Sequence, residues 1–271
     1  MSGQAKSRDF SLLCQSDRAG REERVAHQVA MIDDIPLREA ALAALDRYTA
    51  DLASGTQVPV GSVEFVRRAM AIAGIAEPDN LSYPQVLQPY LRRSVEQREA
   101  GTVVGHWFVK PVSTKAFTGF VFDTLDNPDH LSGHDRAQLN AFLALDPRSP
   151  VWVSEPVLWA SEVRYYVLEG ELLGEGRYDD GPDDALLPDA AVVREMVSRF
   201  SASPGAPVAF ALDAGRLEDG CTALIEVNDA WAVGFYSGTL SERLYVRMLW
   251  RRWAQLAGER LSGEGTDHAK E

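Results

Sequence analysis

The spacing of apolar residues changes along this chain, from a helical period near the N-terminus to a strand period beyond residue 103. Residues 10–14 form a short apolar run that predicts a buried strand, and a helix is predicted to follow and to reach Ala30. Leucines at near-helical spacing predict a further helix over residues 37–52, which Gly55 ends. The N-terminal part is therefore predicted to be α/β.

Proline and glycine residues limit the predicted elements in the next part of the chain. Residues 58–61 are predicted to be extended, and Ser62 is expected to cap a helix that ends near Ala73. Residues 90–99 predict another helix, because a proline precedes them and a glycine follows.

Apolar and polar residues then alternate as in half-buried strands. This pattern predicts three β-hairpins and one additional strand, whereas residues 123–136 are predicted to form a loop. The hairpins pair residues 103–110 with 117–122, residues 162–168 with 171–178, and residues 208–213 with 222–228, and the additional strand is 151–153. Helices are predicted over residues 188–200 and 239–261. Antiparallel hairpins combined with helices place the predicted fold in the α+β class.

Charge and cysteine content narrow the possible function. The 271 residues include 27 basic and 40 acidic side chains, and the formal charge of −13 makes nucleic acid an unfavourable partner. The two cysteines provide neither a disulfide framework nor a zinc motif, and no apolar stretch is long enough to cross a membrane. We therefore expect a cytoplasmic protein. The sequence also contains no P-loop and no dinucleotide-binding fingerprint.

The third hairpin carries the strongest candidate chemistry. Strand alternation places Glu226 and Asn228 on one face, while Asp213 ends the partner strand. Carboxylate and amide oxygens that converge in this way suit Mg²⁺ bridged to phosphate groups. A solvated polar face without a ligand is the alternative interpretation.

The other two hairpins carry charges of both signs. Lys110 and Lys115 lie on the first, Glu162 and Arg164 share a face of the second, and Arg177 can lie opposite them. Charges within apolar strands are costly to bury without partners, so they suggest a shared polar site for a polyanion and a metal. An ordinary cross-strand ion pair is the alternative.

The last predicted helix has a basic stripe. Arg243, Arg247 and Arg251 are spaced by four residues on a helix whose other side is apolar. We expect these arginines either to be solvated or paired with acidic residues of the protein body, or to form a docking surface for an acidic or RNA-bound substrate.

Eight short segments, in this order, resemble motifs of the ATP-grasp enzymes, and more narrowly of a clade marked by two arginines and a lysine. They are VPVGSVEF at 58–65, YP at 83–84 ahead of LRR at 91–93, FVKP at 108–111, KAFTG at 115–119, SEPV at 154–157, EVRYYV at 162–167 and IEVN at 225–228. The resemblance covers about residues 58–238. It implies a fold in which two lobes with antiparallel sheets grip a nucleotide. The implied domains are an N-terminal α/β lobe (1–57), an ATP-grasp domain (58–240, with lobes of about 58–153 and 154–240) and a C-terminal helix and tail (241–271).

The resemblance implies ATP and Mg²⁺ as cofactors, and it implies roles for individual residues. The nucleotide would be held by Lys110, Lys115, Thr118, Gly119, Glu155, Val157 and Glu162, with residues 115–119 as a lid and 154–157 as a hinge beside adenine. Mg²⁺ would be held by Asp213, Glu226 and Asn228. Arg164 and Arg177 would neutralise the γ-phosphate and orient the substrate carboxylate.

The activity usual in enzymes of this kind is the ligation of a carboxylate to an amine through an acyl phosphate, with release of ADP and phosphate. The implied partners are small-molecule or peptide carboxylates and amines, and amino acids, peptides and small metabolites are all compatible with the sequence. An ATP-binding module without catalysis, and a phosphotransferase that stops after γ-phosphate transfer, stay open as alternatives. The sequence specifies no oligomeric state.

Overall fold

Three small β-sheets and the helices that cover them make up the fold. The computed structural model describes residues 10–113, 117–125 and 131–267, with side chains as far as residue 258. The helices are α1 (Arg21–Asp33), α2 (Thr49–Ala53), α3 (Val63–Ala73), α4 (Gly133–Leu143), α5 (Ala190–Ser201) and α6 (Glu242–Asp267). Two of the three sheets are antiparallel, so the predicted α+β class is confirmed.

The N-terminal sheet is parallel. β1 (Ser11–Gln15) lies between β2 (Leu37–Ala40) and β3 (Gln57–Val60). Parallel sheets are normally covered on both faces, and accordingly Leu12 and Leu13, which point to opposite faces of β1, are both fully buried. The domain boundary that we drew between residues 57 and 58 falls inside β3, which pairs with β1.

The predicted helix over residues 37–52 is wrong in its first part. Its first four residues form β2, and a 3₁₀ helix, Leu42–Tyr48, then leads into α2. The neighbouring strand supplies the backbone partners of this segment, since Ser16 N donates to Ala40 O at 2.9 Å. Sheet pairing of this kind overrides a local helical pattern, and leucine spacing gives no sign of it.

The second sheet is antiparallel, with the strand order β4, β7, β5, β6. Its strands are β4 (Val95–Glu99), β5 (His106–Pro111), β6 (Phe120–Asp123) and β7 (Pro150–Ser154). Phe142 of α4 packs on this sheet, with its ring centroid 5.9 Å from that of Phe117 and 6.0 Å from that of Phe120. Aromatic rings therefore fill much of the core beneath these short strands.

Two predictions are wrong in this region. Residues 90–99 are not one helix, because a 3₁₀ helix, Gln85–Tyr90, precedes β4, and all of β4 pairs with β7. The predicted loop over residues 123–136 contains the start of α4, which Ser132 caps through its hydroxyl. Only two residues of α4 are buried, so its sequence shows little helical periodicity.

The third sheet, ordered β11, β10, β8, β9, confirms the second and third predicted hairpins. Its strands are β8 (Trp159–Leu168), β9 (Glu171–Arg177), β10 (Ala209–Leu217) and β11 (Thr222–Asp229). Glu169 and Gly170 have φ values of 55° and 83°, the positive values that a tight two-residue turn requires. α5 covers one face, where Met196 lies in a core with Phe210 and Leu212. The other face turns toward the N-terminal sheet and carries the candidate site.

α6 packs its apolar side against both of these sheets, and Tyr245, Leu249 and Trp253 share a core with the N-terminal strands. Two of the three arginines in its basic stripe pair with the acidic body of the protein, since Arg243 binds Asp33 and Arg251 binds Glu169, each with a shortest distance of 2.5 Å. These contacts match the first of the two interpretations of the basic stripe. Within the described ranges, no helix has both the length and the apolar character needed to cross a membrane.

Replacing Arg252 by methionine tests the buried ion pair that ties α6 to β11. Arg252 donates to both carboxylate oxygens of Asp229, at 2.8 and 2.6 Å, and the two side chains are only 6% and 5% exposed. The variant leaves Asp229 buried without its charged partner, so urea titration should show a loss of about 3–5 kcal/mol in the free energy of unfolding. Arg251→Met is the control, because its partner Glu169 is exposed and the loss should be about 1 kcal/mol or less. Equal losses would contradict this account.

Candidate functional site

Strand register brings three predicted site residues into one row across the third sheet. Asp213 on β10 lies opposite Arg164 on β8 and opposite Glu226 on β11. Residues that pair across antiparallel strands point to the same face, so the three side chains stand side by side. Asn228 follows Glu226 by two residues and joins them on that face.

Hydrogen bonds connect this row into one network. Arg164 donates from Nε and Nη2 to the two oxygens of Asp213, at 2.8 and 2.6 Å. Asn228 Nδ2 donates to Asp213 Oδ2 at 3.1 Å and to Glu226 Oε1 at 2.9 Å. Lys110 reaches across from β5 of the second sheet, and its Nζ donates to Glu226 Oε2. We call these five residues the charge cluster.

The charge cluster contains two cationic and two carboxylate side chains, all of them largely shielded from solvent. Burial raises the pKa of the Asp213 carboxyl, and the Arg164 guanidinium opposes that shift. Burial alone would also raise the pKa of Glu226, but Lys110 and the amide of Asn228 hold it below its usual value. Lys110 in turn has a raised pKa, because these carboxylates outweigh the cost of burying its charge. Each charge therefore depends on its neighbours.

The donor atoms of the charge cluster suit a hard divalent cation. Asp213 and Glu226 offer carboxylate oxygens, and Asn228 can turn its amide oxygen toward them, which is the ligand type that Mg²⁺ prefers. In the part of the chain that the structure describes, no group of three or more His, Cys, Asp or Glu side chains is arranged to hold a metal ion. The amide of Asn228 is therefore needed as a third ligand. The hydrogen bond from Lys110 to Glu226 Oε2 would have to break before this oxygen could bind the metal ion.

A cavity of about 100 Å³ opens beside the charge cluster, between the second and third sheets. Lys110 and Glu226 line one side, and residues 154–157, which contain Glu155 and Val157, line another. Its remaining lining is largely apolar and aromatic and consists of Tyr83, Arg93, Phe108, Val121, Trp159 and Ile225. Glu155 is held in place by Ser94 N, which donates to Oε2 at 3.2 Å. The structure thus joins the predicted hinge to the predicted phosphate-binding lysine.

Glu162 lies on the face of β8 that also presents Arg164. Burial raises the pKa of the Glu162 carboxyl, and the charges of Asp179, Asp213 and Glu226 act in the same direction. The Glu162 carboxyl is therefore within electrostatic reach of the charge cluster, and its role in binding the nucleotide stays a prediction.

The structure does not bring Arg177 into the charge cluster. Arg177 lies opposite Val163, one residue out of phase with Arg164, and therefore on the other face of the hairpin. Its guanidinium binds Asp179 at 2.7 and 2.5 Å and also donates to Pro182 O at 2.7 Å. A catalytic role for Arg177 stays a prediction, and it would require these contacts to rearrange.

The predicted lid is described in part. Lys115 lies outside the described residues. Thr118 N donates to Gln138 Oε1 at 2.7 Å, so the backbone of Thr118 is tied to α4. A Cβ atom at Gly119 would lie 2.4 Å from the ring of Phe108, so a larger residue here would force this ring, which lines the cavity, to shift.

Two features of the site were missed from the sequence. Arg93 donates to Leu224 O at 2.8 Å and to Ile225 O at 3.3 Å, and so fixes the backbone that leads to Glu226. Tyr236 lies beneath Arg164, with its ring centroid 5.1 Å from the guanidinium carbon. The doublet of arginines at 92–93 inside a family motif was a usable signal for Arg93. Nothing in the local sequence marked Tyr236.

Replacing Lys110 by methionine tests the electrostatic balance of the charge cluster. In the wild type the lowered pKa of Glu226 contributes stability above its unfolded pKa of about 4.3, and this contribution is lost as the pH falls through the folded pKa. In the variant Glu226 loses its cation and its pKa should rise, so stability should fall by up to about 3 kcal/mol at pH 7 and partly recover toward pH 5.

Urea titrations at pH 7 and pH 5 measure both effects. Arg38→Met is the control, since the pair of Arg38 with Asp51 is exposed. A Lys110→Met variant that is as stable as the control at both pH values would contradict the proposed balance.

Comparison with known proteins shows the family. The model of an ATP-grasp domain family, the third family of the clade marked by two arginines and a lysine, matches residues 32–252. No curated protein sequence matches the chain. Several solved structures have a similar fold. D-alanine–D-alanine ligase from Bacillus anthracis is 12% identical with a TM-score of 0.51, and the match covers 93% of this chain and 99% of that chain.

Two other similar structures have lower TM-scores. An L-amino acid ligase from Bacillus licheniformis is 12% identical with a TM-score of 0.48, covering 82% of this chain and 67% of that one. A RimK domain ATP-grasp protein from Sphaerobacter thermophilus is 14% identical with a TM-score of 0.47, covering 92% and 98%. At 12% identity the likeness to the first structure shows a shared fold. Because the family match extends over residues 32–252, the chain belongs to the ATP-grasp family, in the clade marked by two arginines and a lysine.

Proposed function

We propose that this protein is a Mg²⁺- and ATP-dependent ligase that joins a carboxylate to an amine. The observation that carries the proposal is the charge cluster beside the hinge cavity. A carboxylate pair, an amide, a lysine and an arginine converge there, and they are the groups that phosphoryl transfer requires. Membership of the ATP-grasp family and the ligase structures of similar fold support the same reaction class.

The nucleotide is proposed to bind with its adenine at residues 154–157 and its phosphates at Lys110. The apolar and aromatic lining of the cavity suits a purine ring, and backbone groups of the hinge can hydrogen-bond its edge. Lys110 already points from the second sheet toward the carboxylates, so a small movement would carry its ammonium group to a phosphate. Glu226 would lose its cation at the same time.

Mg²⁺ is proposed to be held by Asp213, Glu226 and Asn228. When bound, it would offset the charge that Glu226 loses with Lys110 and would neutralise the phosphates. Exchange of one cation for another keeps the buried carboxylates balanced, so the same acidic residues suit both states.

The proposed reaction has two steps. A carboxylate oxygen of the first substrate attacks the γ-phosphorus of ATP, and the bond from this phosphorus to the β,γ-bridging oxygen breaks. The products of this step are an acyl phosphate and ADP. The nitrogen of an amine then attacks the acyl carbon, the carbon–oxygen bond to phosphate breaks, and the nitrogen gives up a proton as the amide forms. Arg164, which Asp213 holds by two hydrogen bonds, would stabilise negative charge in both steps.

Addition of Mg-ATP should raise the melting temperature of the wild type and not that of Glu226→Gln. Ligand at about 100 times its dissociation constant adds about 2.7 kcal/mol to the free energy of unfolding, or roughly 5 °C or more for a chain of this size. Glu195→Gln is the matched control, because Glu195 is exposed and pairs with Arg199 away from the charge cluster. A shift of the same size in Glu226→Gln would sink the assignment of Glu226 to the metal.

Product analysis separates ligation from the two alternatives. With ATP, Mg²⁺, a carboxylate and an amine, we expect an amide together with equal amounts of ADP and phosphate, measured by mass spectrometry and ³¹P NMR. A phosphorylated acceptor without amide would identify a phosphotransferase. Nucleotide binding without any product across a broad substrate panel would identify a binding module.

A further inference from the structure

A second cavity, of about 300 Å³, borders the charge cluster and shares no lining residue with the cavity at residues 154–157. It meets the cluster through Arg164 and Asn228, whereas the hinge cavity meets it through Lys110 and Glu226. Its other walls come from the start of α3, from residues 78–80, and from residues 229–236. The charge cluster thus borders two separate cavities, with Arg164 and Asn228 on one and Lys110 and Glu226 on the other.

Arg164 presents an unused donor to this second cavity. Its Nε and Nη2 atoms are taken by Asp213, but Nη1 donates to none of the described residues. The guanidinium lies against the stacked rings of Tyr236 and Tyr178, 5.1 and 5.9 Å from their centroids, and the side chain is 12% exposed. A buried, immobilised guanidinium with one free edge is a site for a single carboxylate.

Gly234 keeps the space in front of Nη1 open. A Cβ atom at this position would lie 3.6 Å from Arg164 Nη1 and 3.5 Å from Glu22 Oε1, with no closer neighbour. These are ordinary van der Waals distances, and the backbone of Gly234 does not have a positive φ. Alanine therefore fits here without strain, but its methyl group would occupy the place that a carboxylate needs.

The rest of the cavity indicates the kind of acid that fits. Val63, Trp231 and Val233 provide apolar walls, which favour an apolar body. Asp79 lies on the lining as an exposed carboxylate that forms no hydrogen bond or ion pair with any described residue, and its charge favours a positive ligand group over a second carboxylate. At about 30 Å³ for each water in the liquid, the cavity volume holds roughly ten waters, which corresponds to a ligand of roughly ten non-hydrogen atoms.

We propose that this second cavity binds the carboxylate substrate, and that the substrate is a single free amino acid with an apolar side chain. Its carboxylate lies at Arg164 Nη1, beside the proposed phosphates, and its ammonium group faces Asp79. The inference rests on the proposed function for the direction of the reaction, but the binding itself can be measured without turnover.

The test is calorimetric titration of the full chain, loaded with Mg²⁺ and a non-hydrolysable ATP analogue. The probes are leucine, 4-methylpentanoate, which is leucine without its amino group, and glutamate. We expect leucine to bind, and Gly234→Ala to weaken it about tenfold or more, because a charge-assisted hydrogen bond is lost. Gly133→Ala is the matched control, since a Cβ atom at Gly133 meets nothing within 4 Å, and it should bind leucine as the wild type does.

The Asp79→Asn variant tests the contact with the substrate's ammonium group separately from the contact with its carboxylate. This variant should bind leucine about five- to tenfold more weakly than the wild type does and should bind 4-methylpentanoate with unchanged affinity. Glutamate should bind the wild type at least about tenfold more weakly than leucine. Leucine binding that is insensitive to Gly234→Ala would overturn the assignment of the cavity. Nucleotide binding without binding of leucine would overturn the substrate class and leave the proposed nucleotide site intact. Failure to bind the nucleotide analogue as well would remove the proposed function itself.

Discussion

The carboxylate of Asp213 is 1% exposed, and the arrangement of the site follows from the need to compensate its charge. An unpaired carboxylate at this depth would cost several kcal/mol, so the fold must supply donors on both sides. The sheet does so through Arg164, which lies opposite Asp213 on β8, and through Asn228 of β11, which donates to Asp213 from the other side. Glu226 adds a second negative charge, which the third sheet does not neutralise alone. Lys110 from the second sheet completes the balance.

This balance links the second and third sheets. The contact of Lys110 with Glu226 crosses from β5 to β11, and Arg93 makes a second connection to the backbone just before Glu226. A ligand that draws Lys110 away from Glu226 therefore changes a contact between these sheets as well as a local charge. Arg164 differs, because its partner Asp213 and its aromatic neighbours all hold it in one place. We accordingly assign Lys110 to the phosphates of the nucleotide and the fixed Arg164 to the reacting carboxylate.

Sequence reasoning succeeded where a short-range period decides the structure. The alternation around Glu226 and Asn228 placed both on one face, and the turn at 169–170 gave the correct hairpin. It failed where distant strands decide, as at Leu37–Ala40 and Val95–Glu99, whose partners are far away in the chain. The placement of Arg177 shows how sensitive a strand face is to register, since a position one residue out of phase lies on the opposite side.

The most direct test of the central claim is the binding of Mn²⁺, as a paramagnetic substitute for Mg²⁺, followed by electron paramagnetic resonance. If Lys110 occupies Glu226 until phosphates draw it away, the wild type should bind Mn²⁺ weakly alone and much more tightly with ATP. The Lys110→Met variant should then bind Mn²⁺ more tightly than the wild type when no nucleotide is present. A wild-type affinity for Mn²⁺ that neither ATP nor the loss of Lys110 changes would contradict the exchange of cations on which the account depends.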